Sequence, residues 1–254
     1  MRIYPSKPQK VYLYATCLVD MFDPKAGVDA ITLLEQQGIE VIFQEKQSCC
    51  GQPAYTSGYD KEAQDIAISQ MALFSEPWPI VVLSGSCGGM MHHHYPRLFA
   101  EAPQLDNVEV FCERVFELTE FLVNVCRVNL IDQGSSTSVV LHTSCAARRE
   151  MNVHTTSIQL LNQLENVILR QQQYETECCG FGGTFSVRHP DISQAMVEDK
   201  TKHLSKTHAA KLLSADWGCL LNINGSMEYQ GTPMRGSHLA SFLLERTTPN
   251  TEGK

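Results

Sequence analysis

Eight of the ten cysteines in this 254-residue chain form one pattern that occurs twice. Each copy has a single cysteine, an adjacent pair followed by glycine, and a further single cysteine. The two sets are Cys17, Cys49, Cys50 and Cys87, and Cys145, Cys178, Cys179 and Cys219. Four thiolates are what a tetrahedral zinc ion or a [4Fe–4S] cluster takes as ligands. The pattern therefore predicts two metal or cluster sites that arose by internal duplication.

Other uses of these cysteines fit the spacing less well. Free cysteines often pack as small apolar side chains, but a core does not require adjacent pairs twice at matched spacing. A disulfide within an adjacent pair would be far from ordinary disulfide geometry. A structural zinc site suits the number of thiols, although the usual paired Cys-x-x-Cys motifs are absent. Zinc therefore stays open as an alternative to iron.

Composition limits the kind of protein. The formal net charge is −8, and the basic residues form no run, which argues against a nucleic-acid partner. No stretch of 18 apolar residues is present, which argues against a membrane span. The N-terminus lacks the apolar core of a secretory signal. We therefore expect a cytoplasmic protein whose cysteines are reduced rather than paired as disulfides.

Strand and helix patterns alternate along the chain. They predict strands at 11–14, 39–43, 80–83, 108–111, 138–141, 167–169 and 211–214. They predict helices at 27–37, 60–74, 115–128, 155–164, 191–204 and 238–245. This order is typical of an α/β protein with two similar lobes, each a mostly parallel sheet with flanking helices.

We expect the lobes to be a first domain at 1–133 and a second at 134–254, joined by a polar linker at 132–137. The polar residues 248–254 are expected to be frayed. The single cysteines Cys17, Cys87, Cys145 and Cys219 all follow predicted strands. Since ligands of parallel sheets collect beyond the carboxyl ends of the strands, each set is expected to converge there.

The remaining cysteines and a histidine run have simpler interpretations. Cys112 and Cys126 lie outside the repeat and are interpreted as core residues. The three consecutive histidines at 92–94 cannot all face one ion from a helix, because successive side chains point in different directions. They are interpreted as a partly solvated helical segment. The glycine-rich loop after Cys179 lacks the spacing of a dinucleotide-binding motif.

Four other side chains are candidates for substrate binding or for contacts around a cluster. His142 and His189 flank the second cysteine loop and could donate a hydrogen bond to a cluster or orient a substrate. Arg148 and Arg188 could bind the carboxylate of a hydroxy acid through two parallel hydrogen bonds. Surface or structural roles are the alternative for all four.

Five sequence segments carry a resemblance to a known family. They are Tyr14-Ala15-Thr16-Cys17, Glu45-Lys46-Gln47-Ser48-Cys49-Cys50-Gly51-Gln52-Pro53, Ser86-Cys87-Gly88-Gly89-Met90, His142-Thr143-Ser144-Cys145 and Cys178-Cys179-Gly180-Phe181-Gly182-Gly183-Thr184-Phe185. The chain resembles the cysteine-rich CCG family, which includes the B subunit of heterodisulfide reductase and the iron–sulfur subunit of glycolate oxidase. Within this family it is most similar to the lactate utilisation protein A branch.

The resemblance implies tandem CCG domains and one or two [4Fe–4S] clusters. It also implies an electron-transfer subunit of a multi-protein complex that oxidises L-lactate or a related hydroxy acid, with other iron–sulfur and accessory subunits as partners. Whether the substrate is oxidised in this chain or in a partner stays open. Two alternatives are a thiol–disulfide oxidoreductase similar to heterodisulfide reductase, and a zinc-stabilised scaffold.

The chain departs from the fuller family pattern, in which each half has a fifth cysteine associated with an unusual non-cubane cluster. Met90 and Asn222 stand at the corresponding positions here. A neutral thioether and an amide are poor replacements for a thiolate on iron. The departure favours an ordinary [4Fe–4S] cluster and weakens the disulfide reductase alternative.

Overall fold

The computed structural model describes residues 2–249 and contains two four-stranded sheets. The first sheet has the strand order β2-β1-β3-β4 and the second has the order β6-β5-β7-β8. All neighbouring strands in both sheets are parallel. The strands are β1 Lys10–Tyr14, β2 Glu40–Phe43, β3 Ile80–Val82, β4 Val115–Glu117, β5 Thr137–Leu141, β6 Val167–Arg170, β7 Lys211–Ser214 and β8 Gly236–His238. The prediction of an α/β fold with two similar lobes is confirmed.

Helices connect and cover the strands. In the first lobe they are α1 Cys17–Phe22, α2 Pro24–Glu35, α3 Gln52–Thr56, α4 Asp60–Leu73, α5 Gly85–Gly89, α6 Tyr95–Leu98, α7 Leu105–Glu113 and α8 Leu118–Phe121. In the second lobe they are α9 Cys145–Arg149, α10 His154–Leu161, α11 Phe185–Arg188, α12 Pro190–Ser205, α13 Trp217–Tyr229 and α14 Leu239–Thr247. Two π-helical turns, Met90–His94 and Leu122–Cys126, follow α5 and α8.

One predicted strand is wrong. Residues 108–111 lie inside α7. Residues 115–117, predicted as the start of a helix, form β4. The buried residues of α7 are Val108, Phe111 and Cys112, a spacing of three and four that places them on one helical face. The short run at 108–111 alternates in polarity like a strand, and this local alternation misled the interpretation.

The sequence patterns did not predict several short helices, nor α13 and β8. Helix α13 carries Cys219, and β8 is a three-residue edge strand beside β7. Nothing in the hydrophobic periodicity marks β8, because a strand of three residues is too short to display a period. Of the terminal segment expected to be frayed, residues 250–254 lie outside the described part of the chain.

The two lobes share one apolar core. Leu33 and Leu34 of α2 belong to the same buried cluster as Phe242 and Leu243 of α14. The segment between the lobes is also fixed in place, because Asp132 forms an ion pair of 2.6 Å with Arg246. Within residues 2–249, no helix is both long enough and apolar enough to cross a bilayer.

Polar contacts bind the lobes together beside the carboxyl ends of the strands. The Asp216 carboxylate accepts hydrogen bonds from the Ser84 hydroxyl at 2.7 Å and from the Ser86 amide at 2.8 Å. The buried His238 ring lies 3.1 Å from the Leu83 carbonyl across the same boundary. These contacts hold the two strand ends that carry cysteines in a fixed relation.

Candidate metal centres

One cavity of about 910 Å³ lies between the lobes, and all eight repeated cysteines line it. It forms where the carboxyl ends of both parallel sheets meet. The two sets therefore do not occupy separate pockets on opposite sides of the molecule. They face a common space, which the sequence repeat alone does not reveal.

In the first set the four thiols form a chain of contacts. Cys17 is the first residue of α1, directly after β1, and Cys87 lies in α5 after β3. Cys49 and Cys50 lie in the loop before α3. The pKa shifts of these cysteines come mainly from neighbouring thiols: Cys17 and Cys50 act on Cys49, and Cys49 and Cys87 act on Cys50, so successive sulfurs lie close together. All four sulfurs are therefore within reach of one cofactor.

The second set repeats this arrangement. Cys145 begins α9 after β5, and Cys219 lies in α13 after β7. Here too the pKa shifts come mainly from neighbouring thiols: Cys145 and Cys179 act on Cys178, and Cys178 and Cys219 act on Cys179. Equivalent elements of the two lobes thus place their cysteines in the same order around each sulfur group.

One thiol in each set is poised to lose its proton. The neighbouring thiols of Cys17 and Cys50 donate to Cys49 and lower the pKa of Cys49 to about 3. The same contact raises the pKa of Cys17. In the second set, the thiols of Cys145 and Cys179 lower the pKa of Cys178. A group of four neighbouring cysteine thiols favours a bound metal cation. The metal replaces the thiol protons and neutralises the negative charge of the thiolates.

The glycines that follow the Cys-Cys pairs have left-handed backbone conformations, with φ of 84° at Gly51 and 83° at Gly180. The Gly180 amide donates to the Cys178 sulfur at 3.4 Å. A Cβ added at Gly180 would lie 2.6 Å from the Ser193 carbonyl oxygen. A Cβ added at Gly51 would lie no closer than 3.5 Å to any neighbouring atom. The second loop is therefore the more tightly packed of the two.

These distances predict unequal effects of alanine at the two glycines. Gly51→Ala carries mainly the cost of a left-handed backbone, roughly 1–2 kcal/mol of unfolding free energy. Gly180→Ala adds a collision with backbone atoms, so we expect a larger loss of stability and weaker metal retention in the second set. Denaturant unfolding of both variants, with metal analysis, checks this order. Equal losses in the two variants would contradict it.

Cys112 and Cys126 serve a different purpose. Neither is among the described residues that line the cavity. The buried Cys112 thiol donates to the Met91 carbonyl, and burial raises its pKa to about 12. Cys126 packs against the shared core, and burial raises its pKa to about 11. Inert, protonated thiols of this kind are structural.

We therefore expect Cys126→Ser to leave the metal content of the protein unchanged. The thiol is remote from both sulfur groups, so serine costs at most some packing energy in the core. Metal analysis of the purified variant beside the unsubstituted protein is the check. A substantial loss of metal would mean that Cys126 belongs to a site.

The four other candidates have different positions. Arg188 lines the cavity. Arg148 and His189 are not among its described lining residues: Arg148 pairs with Glu175 at 3.2 Å, and the exposed His189 ring packs on Phe185. His142 is 1% exposed, and burial lowers its pKa to about 4.

His142 also lies next to the second sulfur group. One of its ring nitrogens and the sulfurs of Cys179 and Cys219 are all within 4.8 Å of one another. Neither of its ring nitrogens has a hydrogen-bond partner in the described protein. The second group thus has a nitrogen donor available in addition to its four thiols.

Two further cavity residues were missed by the sequence interpretation. His94 and Glu150 come from different lobes, line the cavity, and form a pair with 3.2 Å between His94 Nε2 and Glu150 Oε1. The π-helical turn Met90–His94 carries His94 to this position. In the sequence, only the run of three histidines after Cys87 pointed to His94, and the run did not show which of the three rings faces the cavity.

Comparison with known proteins now decides the family. A family model described as the CCG cysteine-rich domain matches the chain twice, over residues 11–92 and 139–224. The chain belongs to the CCG cysteine-rich domain family. Each match to the CCG model contains the cysteines of one set.

Several curated proteins are similar over nearly the whole length. The CCG chain is 38% identical over 237 residues to lactate utilization protein A 2 of Bacillus cereus (strain Q1), with 93% of this chain and 98% of that protein covered. It is 39% identical over 240 residues to lactate utilization protein A of Halalkalibacterium halodurans, covering 94% and 98% of the respective chains. The resemblance inferred from the cysteine motifs is confirmed.

A solved structure shares the fold. The crystal structure of a hypothetical protein from Helicobacter pylori superimposes with a TM-score of 0.69 at 9% sequence identity, covering 98% of this chain and 52% of that one. The CCG chain spans about half the length of that protein. At this low identity the similarity concerns the fold alone.

Proposed function

We propose that this chain is an iron–sulfur electron-transfer subunit of a cytoplasmic, multi-protein complex that oxidises L-lactate. Its two CCG domains are residues 1–133 and 134–254, and its partners are other iron–sulfur and accessory subunits. The observation that carries the proposal is the convergence of four thiols in each lobe on one cavity, where each thiol lies next to at least one other of its set. The lactate assignment is supported by the names of the similar proteins.

The donor set fits a [4Fe–4S] cluster in each lobe. Cys17, Cys49, Cys50 and Cys87 would hold the first cluster, and Cys145, Cys178, Cys179 and Cys219 would hold the second. Four thiolates supply one ligand to each of four irons. Neither position of the missing fifth cysteine offers a substitute, because Met90 is fully buried in the core and the Asn222 amide donates to the Cys179 carbonyl at 2.8 Å. These contacts support an ordinary rather than a non-cubane cluster.

When bound, such a cluster takes up and releases one electron at a time. The protein's part is to hold four of the eight thiolates in buried positions and to donate amide hydrogen bonds to ligand sulfurs. The Gly180 amide does this at Cys178, and the Gly51 amide does so at Cys49. Burial of Cys50, Cys87, Cys179 and Cys219 limits solvent access to each group.

The shared cavity favours substrate binding within this chain over a purely relaying role. The Arg188 guanidinium at the cavity wall could bind the carboxylate of a small hydroxy acid. Oxidation of a hydroxy acid to a keto acid releases two electrons and two protons. The His94–Glu150 pair supplies a site in the same cavity where a proton can be received.

Metal analysis tests the proposal. Protein purified without oxygen should be brown, with broad absorbance near ~400 nm and about four irons and four sulfides per occupied set. Stoichiometric zinc with no iron would instead support a structural metal scaffold. Reduction of a disulfide by the isolated chain would support the thiol–disulfide oxidoreductase. Bleaching of the chromophore by lactate in the reconstituted complex, but not by the chain alone, would place substrate oxidation in a partner.

A further inference from the structure

The two sulfur groups differ at one matched position. The residue three before the first cysteine of each set is Tyr14 in the first lobe and His142 in the second. Both side chains are buried at the end of the equivalent strand, β1 or β5. The Tyr14 hydroxyl donates to the Ser48 backbone carbonyl. Its hydrogen-bonding capacity is thus used within the loop that carries Cys49 and Cys50.

His142 has no such partner. His142 is 1% exposed, and neither of its ring nitrogens makes a hydrogen bond within residues 2–249. A buried polar nitrogen without a partner is costly, and in native proteins it usually marks a bound group or a functional role. One ring nitrogen of His142 lies within 4.8 Å of the sulfurs of Cys179 and Cys219, and neither sulfur accepts a hydrogen bond from it in the structure. A small movement of the ring or of a thiolate on cluster binding would bring the N–H group into hydrogen-bond range.

The surroundings of the two groups differ in other ways as well. The Gly180 amide donates to the Cys178 sulfur at 3.4 Å. The Lys200 ammonium lies near Cys178 and Cys179, and it donates to the Tyr174 carbonyl at 3.0 Å. Because the Gly180 amide and Lys200 are unchanged in a variant at position 142, substitution of the imidazole isolates the effect of the imidazole itself.

We infer that His142 donates an N–H···S hydrogen bond to the Cys179 or Cys219 thiolate of the second metal centre, and that this makes the second centre easier to reduce than the first. The inference rests on the proposed iron–sulfur function. A hydrogen bond to a ligand sulfur offsets the extra negative charge of the reduced state, so it raises the reduction potential. The first centre lacks this donor because the Tyr14 hydroxyl is bound to Ser48. The two centres are therefore unequal, and an electron entering the pair favours the second lobe.

Potentiometric titration of the anaerobically prepared full-length protein, followed by electron paramagnetic resonance, tests this order. Cys178→Ser identifies which reduction step belongs to the second centre. His142→Phe should move that step to lower potential by roughly a tenfold change in the oxidised-to-reduced ratio, equal to about 59 mV for one electron. His142→Gln keeps an N–H donor and should retain much of the original potential. Tyr14→Phe is the matched control and should leave the second step in place.

Histidine labelled with ¹⁵N gives a second readout. The reduced second centre should show a weak nitrogen coupling in the unsubstituted protein, and His142→Phe should abolish it. Unchanged potentials in a His142→Phe protein with full iron would overturn the inference while leaving the iron–sulfur function intact. Loss of second-centre iron from both His142 variants, or a strong coupling from a directly bound nitrogen, would make His142 a ligand and overturn the hydrogen-bond assignment. A protein that takes up zinc and no iron would instead defeat the proposed function itself.

Discussion

Cys178→Ser is expected to remove the iron of the second set and to leave the first set loaded, so that total iron and sulfide fall to about half. Cys178 is one of the two inner thiols of its set, and the thiols of Cys145 and Cys179 both act on it. A serine hydroxyl does not ionise near neutral pH and is a poor ligand for iron. The measurement is iron and acid-labile sulfide per chain, together with the electron paramagnetic resonance signal of each centre.

Cys49→Ser is the matched variant in the first lobe, because Cys49 has the same two thiol contacts with Cys17 and Cys50. It should remove the other half of the iron. Cys126→Ser controls for nonspecific effects of removing a thiol. If either variant at position 49 or 178 loses all of its iron, the eight cysteines around the common cavity hold one shared cofactor. The interpretation as two centres would then be wrong.

Gly85→Ala is expected to lower the free energy of unfolding by about 1–3 kcal/mol, the usual cost of overpacking a tight interface. A Cβ at Gly85 would lie 2.5 Å from the Ala147 Cβ and 2.8 Å from its Cα. These residues belong to α5 and α9, which carry Cys87 and Cys145. Separation of the two helices should also loosen metal retention in both sets. Denaturant unfolding and metal analysis measure the two effects.

Gly225→Ala is the matched control for this substitution. Gly225 lies on the exposed side of α13, and a Cβ there meets no atom within 4 Å. Alanine in an open helix interior should raise stability by roughly 0.5–1 kcal/mol. If Gly85→Ala were as stable as Gly225→Ala, the lobes would not be packed together at this point in solution.

These predictions all depend on the contacts between the two lobes. Asp216 of the second lobe binds Ser84 and Ser86 of the first, beside Cys87. His94 and Glu150 also come from different lobes and meet at the cavity wall. Disturbance of the boundary should therefore affect both centres, whereas loss of a single ligand should affect one.

The sequence by itself determined the two cysteine sets and the class of fold. Helices such as Pro24–Glu35, which buries Ala26, Ala30, Leu33 and Leu34, follow from local periodicity, since burial on one face imposes a pattern on neighbouring residues. The strand Lys211–Ser214 follows from its short apolar run. The convergence of Cys17 and Cys87 also follows, because parallel strands bring their carboxyl ends to one edge. These are consequences of short-range order and of a general rule for parallel sheets.

Only the tertiary structure decided that both sets face one cavity, that His94 meets Glu150, and that His142 lies unpartnered beside Cys179 and Cys219. It also corrected residues 108–111 from strand to helix. The contact of His94 with Glu150 depends on how the two lobes pack, and that of His142 with Cys179 depends on how distant segments of one lobe pack; local periodicity carries no information about either. The physical reason is that a side chain's partner is chosen by the whole folded core, while its secondary structure is largely chosen by its neighbours in the chain.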